Sequence, residues 1–213
     1  MFTGDEFAEG GQTILNTLRQ RKIKASFFFT GRFYRNPAFA NIIRQLKKDG
    51  HYLGAHSDAH LLYCDWANRD SLLVTKEQFI SDLLKNYNEL ERFGIQKRDA
   101  PYFLPPYEWH NDTIAAWTNQ LQLQLINYTP GTLSHTDYTT PAMKNYRSSD
   151  AILRSVYNYS TQQTSGLNGF MLLMHIGAGP SREDKLYNRL NELLDHLLHE
   201  KYEPVTVNNL LKD

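Results

Sequence analysis

The strongest constraint on the fold is an alternation. Short apolar runs recur along the chain, each followed by a longer amphipathic stretch. The runs are the opening MFT, Lys24–Thr30 (KASFFFT), Tyr52–His56 (YLGAH), Tyr102–Pro105 (YFLP), Leu123–Thr129 (LQLINYT), Phe170–Ile176 (FMLLMHI) and Pro204–Val207 (PVTV). Helical spacing is expected over Gly11–Arg21, Pro37–Asp49, Thr75–Phe93, Asn111–Gln122, Ser148–Gln162 and Ser181–Lys201. Within the second of these, Phe39, Ile42, Ile43 and Leu46 share one face, and Gly50 stands where a helix ends. Strands apolar on both faces that alternate with helices predict a parallel sheet of α/β class. About seven such units suit an incomplete (β/α)7 barrel. No repeat, low-complexity tract or linker interrupts residues 1–213, so one domain is expected, its first strand short enough to suggest truncation at the N-terminus.

Charge narrows the partners. Lys plus Arg and Asp plus Glu both number 23, which argues against nucleic acid as the main partner. No apolar run is long enough for membrane insertion and no signal peptide is present, while a lone cysteine, Cys64, excludes internal disulfides and CxxC metal sites. The 13 Tyr and 3 Trp suit either core packing or a sugar-binding cleft.

In a parallel α/β barrel, chemistry gathers at the C-terminal strand ends. Asp5 ends the first run and His56 the third, with His60 following in HSDAH. Pro105, Pro106, Tyr107 and Glu108 follow the fourth, Thr129 the fifth, and His175 lies in the sixth. If HSDAH turns helically, its two imidazoles face the same way and can share a divalent metal, whereas chance spacing among eight histidines is the plainer reading. The acids Asp5 and Glu6 read either as a metal site or as favourable charge at the start of the following helix. The irregular stretch Pro130–Tyr146 has the length of a functional loop.

KIKASFFFTGRFY, GHYLGAHSDAH, FLPPYEWHN and FMLLMHI, in that order, resemble four motifs of the polysaccharide deacetylase (NodB-homology) family. The resemblance implies a distorted, incomplete (β/α)7 barrel and a metal-dependent carbohydrate esterase that removes N- or O-acetyl groups from a carbohydrate. It implies a metal held by Asp5, His56 and His60, with zinc first and cobalt or nickel as alternatives, and His175 as the general acid. It also implies an extracytoplasmic or cell-envelope location for a truncated chain.

Two positions depart from the family pattern. Gly4 stands where the resemblance places the catalytic-base Asp, and Leu104 where it places that base's Arg partner. Losing both together is cheaper than leaving one buried charge unpaired. Glu6, Glu108 and Asp137 are the candidate substitute bases, and each also has an ordinary reading as a helix-start, loop or turn residue. Tyr107, Trp109, Tyr128 and Tyr138 are candidate sugar-stacking residues, with simple packing as the alternative. The expected function is therefore a deacetylase-like hydrolase with an altered base. The alternative is a catalytically impaired carbohydrate-binding protein that keeps its metal.

Overall fold

A computed structural model describes residues 1–212. In chain order the elements are β1 (Phe2–Gly4), α1 (Gly11–Arg21), β2 (Ser26–Phe29), α2 (Gly31–Arg35), α3 (Ala40–Lys48), β3 (Tyr52–Ala55), α4 (Lys76–Glu91), β4 (Tyr102–Phe103), α5 (Asp112–Gln120), β5 (Gln124–Leu125), α6 (Ser149–Gln162), β6 (Met174–His175), α7 (Leu190–His199) and α8 (Val207–Leu210). The chain divides into two compact units, one of residues 27–127 and one of residues 1–26 with 128–213.

In the unit of residues 27–127 the strands run in the order β5-β4-β3-β2, with β3–β4 and β4–β5 parallel. Its core grows from the FFF run. Phe27, Phe28 and Phe29 are fully buried, with Phe29 stacked on Phe33 at 4.0 Å and Phe28 tilted against Tyr52 at 5.6 Å. A β-carbon on Gly54 would lie 2.7 Å from the Phe28 ring, so the close strand approach requires glycine there. Helix α4 starts at a capping box, in which Thr75 Oγ1 accepts from Gln78 N and Gln78 Oε1 accepts from Thr75 N. Helix α3 ends at Gly50, which takes φ +77°.

In the other unit β1 pairs in parallel with β6, matching Thr3 with His175. Helices α1 and α7 are tied by Arg21, whose guanidinium reaches Asp195 at 2.7 Å. Glu9, just before α1, closes the loop after β6: its Oε1 accepts from Ala178 N and Gly179 N, both at 2.8 Å, and from Lys185 Nζ at 3.0 Å.

Three sequence expectations are corrected. Pro204–Val207 forms no strand: Val207 opens α8, and its N–H donates to Ser26 Oγ at 2.9 Å, while Pro204 has no N–H to give to a ladder. Six strands, not seven, form among the described residues. The helix expected from Ser181 starts as α7 only at Leu190, because the Glu9–Gly179–Lys185 contacts hold the preceding segment irregular up to a 3-10 turn at Leu186–Arg189. The short α2 was not foreseen.

Partial burial pushes the Glu9 carboxyl up, but the hydrogen bonds from Ala178 and Lys185 outweigh it and hold its pKa below the ordinary 4.5. A depressed carboxyl pKa stabilises the fold above the unfolded value and loses that contribution as pH falls through the folded one. Glu9→Gln is therefore expected to lower stability at pH 7 by about 1 kcal/mol, the screening of a part-exposed group included. In urea titrations the gap should narrow as pH drops below 4.5; a gap constant down to acid pH would contradict this reading.

Candidate active site

HSDAH follows β3 directly, but it is not helical. Ser57 and His60 both have left-handed backbone, at φ 71° and 56°, and the segment is a tight loop. Left-handed non-glycine residues are costly, so the loop needs outside support. That support is Asp82 on α4. Its carboxylate accepts from Ser57 Oγ at 2.6 Å, Tyr63 Oη at 2.8 Å, Ala59 N at 3.0 Å and Asp58 N at 3.3 Å. A buried carboxylate with four donors is fully satisfied, and each bond fixes a different part of the loop. Burial first, and Asp82's charge next, push the Tyr63 hydroxyl well above its ordinary value, so it stays a donor.

The loop's other side is clamped by Arg35, which meets Asp58 through two hydrogen bonds, at 2.5 and 3.2 Å. Gly31 lies close against this pair. A β-carbon there would lie 1.8 Å from Asp58 Oδ1. Asn86, also on α4, donates to Phe29 O and accepts from His56 N, joining β2 to the start of the loop.

His56 is thereby held in one tautomer. Its Nδ1 lies 2.8 Å from the carbonyl oxygen of Leu104, which can only accept, so Nδ1 carries a proton. This is the arrangement that orients a metal-binding imidazole. It uses the backbone of residue 104 and not its side chain, so leucine in place of arginine leaves it intact. The His60 ring stands 5.1 Å from that of His56. Two imidazoles, one with its tautomer set for ligation, suit a divalent transition metal. Among the described residues no group of three or more His, Cys, Asp or Glu side chains is arranged to hold a metal ion.

In the unit that contains β1 and β6, Asp5 follows β1 and His175 ends β6. Asp137 grips His175 twice: Oδ2 accepts from the backbone N–H at 2.9 Å, and Oδ1 lies 2.6 Å from Nδ1. The carboxylate is 4% exposed. This pairing puts the Nδ1 proton toward Asp137 and presents Nε2 for proton transfer, as in other carboxylate–histidine pairs. The loop that carries Asp137 is fixed by Arg182, fully buried, which donates to the carbonyls of Thr139, Arg147 and Asp184 at 2.6, 3.0 and 2.6 Å. His135, stacked on Tyr128 at 4.7 Å, is pushed below its ordinary pKa by burial and then by the charge of His175, so it is neutral at pH 7. Tyr138 lies 4.9 Å from the His175 ring and is well exposed.

The remaining candidates are placed as follows. Glu6 is exposed after β1. Tyr107 and Glu108 follow β4 in left-handed conformation, at φ 58° and 54°. The Glu108 carbonyl accepts from Asn127 at 2.8 Å. Tyr107 meets the His60 ring at 4.4 Å, and Trp109 donates through Nε1 to Asp65 O. Sequence reasoning missed Asp82, Arg35 and Trp66. Asp82 was hidden because a buried acid on an amphipathic helix looks like any solvated one.

The sequence matches the polysaccharide deacetylase family model over residues 4–126, more than half of the chain. The chain belongs to the polysaccharide deacetylase family. Among curated relatives, it is 26% identical over 200 residues to a peptidoglycan-N-acetylglucosamine deacetylase of Bacillus cereus, covering 93% of this chain and 80% of that protein. The fold is similar to that of a CE4 family pseudoenzyme from Bacillus anthracis, with TM-score 0.72 at 18% identity over 99% of this chain. It is also similar to a mutant CE4 family pseudoenzyme with restored enzymatic activity, with TM-score 0.74 at 20% identity over 99% of this chain. The chain spans 65% and 66% of those two chains respectively. The fold is thus the α/β deacetylase fold, a distorted and incomplete (β/α)7 barrel.

Removing the loop's anchor should be costly. Asp82→Ala leaves two buried hydroxyls and two backbone N–H groups without their acceptor, for an expected loss of about 2–4 kcal/mol in chemical denaturation. A variant as stable as the wild type would show that Asp82 does not hold the loop.

Proposed function

We propose that the chain is a carbohydrate deacetylase whose general base is altered. The observation that carries this reading is the doubly held Asp137–His175 pair, a proton-transfer group kept in one tautomer at a strand end. His175 protonates the leaving amine or alcohol from Nε2, while Asp137 orients the ring and stabilises the imidazolium. Asp137, with both oxygens engaged by His175, acts as a positioning residue and not as the substitute base. His56 and His60 would offer two imidazoles to a divalent metal, zinc by preference; Asp5, the third ligand that the family motifs suggest, belongs to the other unit, and no group of three ligands is assembled among the described residues. When bound, the ion would polarise the acetyl carbonyl and make its bound water acidic enough to react near neutral pH. The base role falls to Glu6, with Glu108 as the second candidate. Tyr107, Trp109, Tyr128 and Tyr138 would contact the sugar. An acetylated glycan of the cell envelope is the proposed substrate.

A second reading is favoured by one observation. Gly4 and Leu104 occupy the positions that the family motifs give to the base and its arginine, and Leu104 is fully buried. On that reading the protein binds acetylated glycans without turnover, in keeping with the pseudoenzymes among its structural neighbours.

Acetate release from acetylated chitooligosaccharides, peptidoglycan fragments and acetylxylan, with zinc, cobalt or nickel added, separates the two. Slow release that rises about 10²-fold or more in Gly4→Asp/Leu104→Arg supports the deacetylase reading, since general-base help is worth 10²–10⁴-fold. No release by the wild type, with measurable glycan binding, establishes the binding protein instead.

A further inference from the structure

Beside His60 the unit of residues 27–127 displays aromatic surface that its core does not use. Trp66 is 56% exposed and Tyr107 45% exposed, the most open of the tryptophans and tyrosines described. The Trp66 ring lies 5.5 Å from Tyr107, edge to face, and 5.6 Å from Trp109. Tyr107 in turn touches His60. A line of rings therefore runs outward from the histidine pair.

The loop that presents Trp66 is rigid. A Cys64–Leu72 bridge closes it, and Asp65 N donates to Ser71 O at 2.9 Å. Asp65 Oδ1 accepts from Ala67 N and Asn68 N, both at 2.8 Å, which makes the turn that lifts Trp66 outward. Trp109 donates to Asp65 O from below, and Arg69 lies over the Trp109 ring at 4.1 Å while its Nε donates to His110 O. Asn111 Nδ2 donates to Arg69 O at 3.1 Å. Two consecutive left-handed residues, Tyr107 and Glu108, complete the display, and such strain concentrates at ligand sites. Effort of this kind is not needed to leave a tryptophan in water.

We propose that Trp66, with Tyr107 and Trp109, forms a stacking subsite for a pyranose ring, one sugar removed from the unit held at His60. The inference rests on the carbohydrate reading above. A pyranose offers an apolar C–H face of the size of an indole ring and hydroxyls around its edge. Arg69, which lies over the Trp109 ring, is the polar group shown beside these rings. A subsite one unit away acts on oligomers and not on monomers, so it sets chain-length preference.

The test uses the full chain and three ligand lengths, all N-acetylated: N-acetylglucosamine, diacetylchitobiose and tetraacetylchitotetraose (below, chitobiose and chitotetraose). Binding is followed by calorimetry for wild type, Trp66→Ala and Trp66→Tyr, with acetate release measured in parallel. Trp66→Ala should fold with an unchanged melting temperature, because the ring is mostly in solvent. It should bind chitotetraose about ten-fold more weakly, the loss of one stacked ring. Binding of N-acetylglucosamine should not change, and Trp66→Tyr should recover most of the loss. Equal chitotetraose affinity in wild type and Trp66→Ala overturns the subsite, and acetate release would then leave the deacetylase reading standing. Weaker binding by Trp66→Ala without any acetate release keeps the subsite and removes the deacetylase reading. A wild type that binds none of the three sugars overturns the subsite.

Discussion

The buried Asp82 carboxylate is the interaction on which the histidine loop depends. HSDAH contains two residues in left-handed conformation, and besides the backbone bonds of His56 N to Phe29 O and of Gly31 N and Arg32 N to the carbonyls of Ser57 and Asp58 it depends on side-chain support. One charged group with four donors converts a strained loop into a defined one. The Arg35–Asp58 pair above Gly31 and the Asn86 bridge then fix the loop against α2 and β2. Positional accuracy of a ligand imidazole comes from such supporting bonds, not from the imidazole.

The same logic explains why leucine at position 104 leaves the His56 hydrogen bond in place. The group that sets the His56 tautomer is a backbone carbonyl, which every residue at position 104 supplies. The Asp137–His175 pair is held by contacts of its own, since Asp137 and Arg182 belong to the loop after β5 and the segment after β6. The hydrogen bond that orients His56 is therefore independent of the side chain at position 104.

Much of the fold was legible because apolar runs and helical spacing are local signals. α1 coincides with its expected span, α4 lies within its own and the capping box at Thr75 marks its start. Pro204–Val207 reads as a strand from its β-branched residues, yet Ser26 takes its donor, a contact from far along the chain. The helical turn that the HSDAH spacing suggested does not form; a loop brings the two imidazoles within 5.1 Å of each other. Asp137 was legible only as a candidate substitute base, because its bond to His175 joins residues 38 positions apart. Trp66 carried no motif at all.

Metal content tests the account most directly. The full chain, loaded with zinc and dialysed, should retain about one ion, as expected of a single mononuclear site. The His56→Ala/His60→Ala double variant should retain almost none, with its fold intact by circular dichroism. Equal zinc in wild type and double variant would contradict the account.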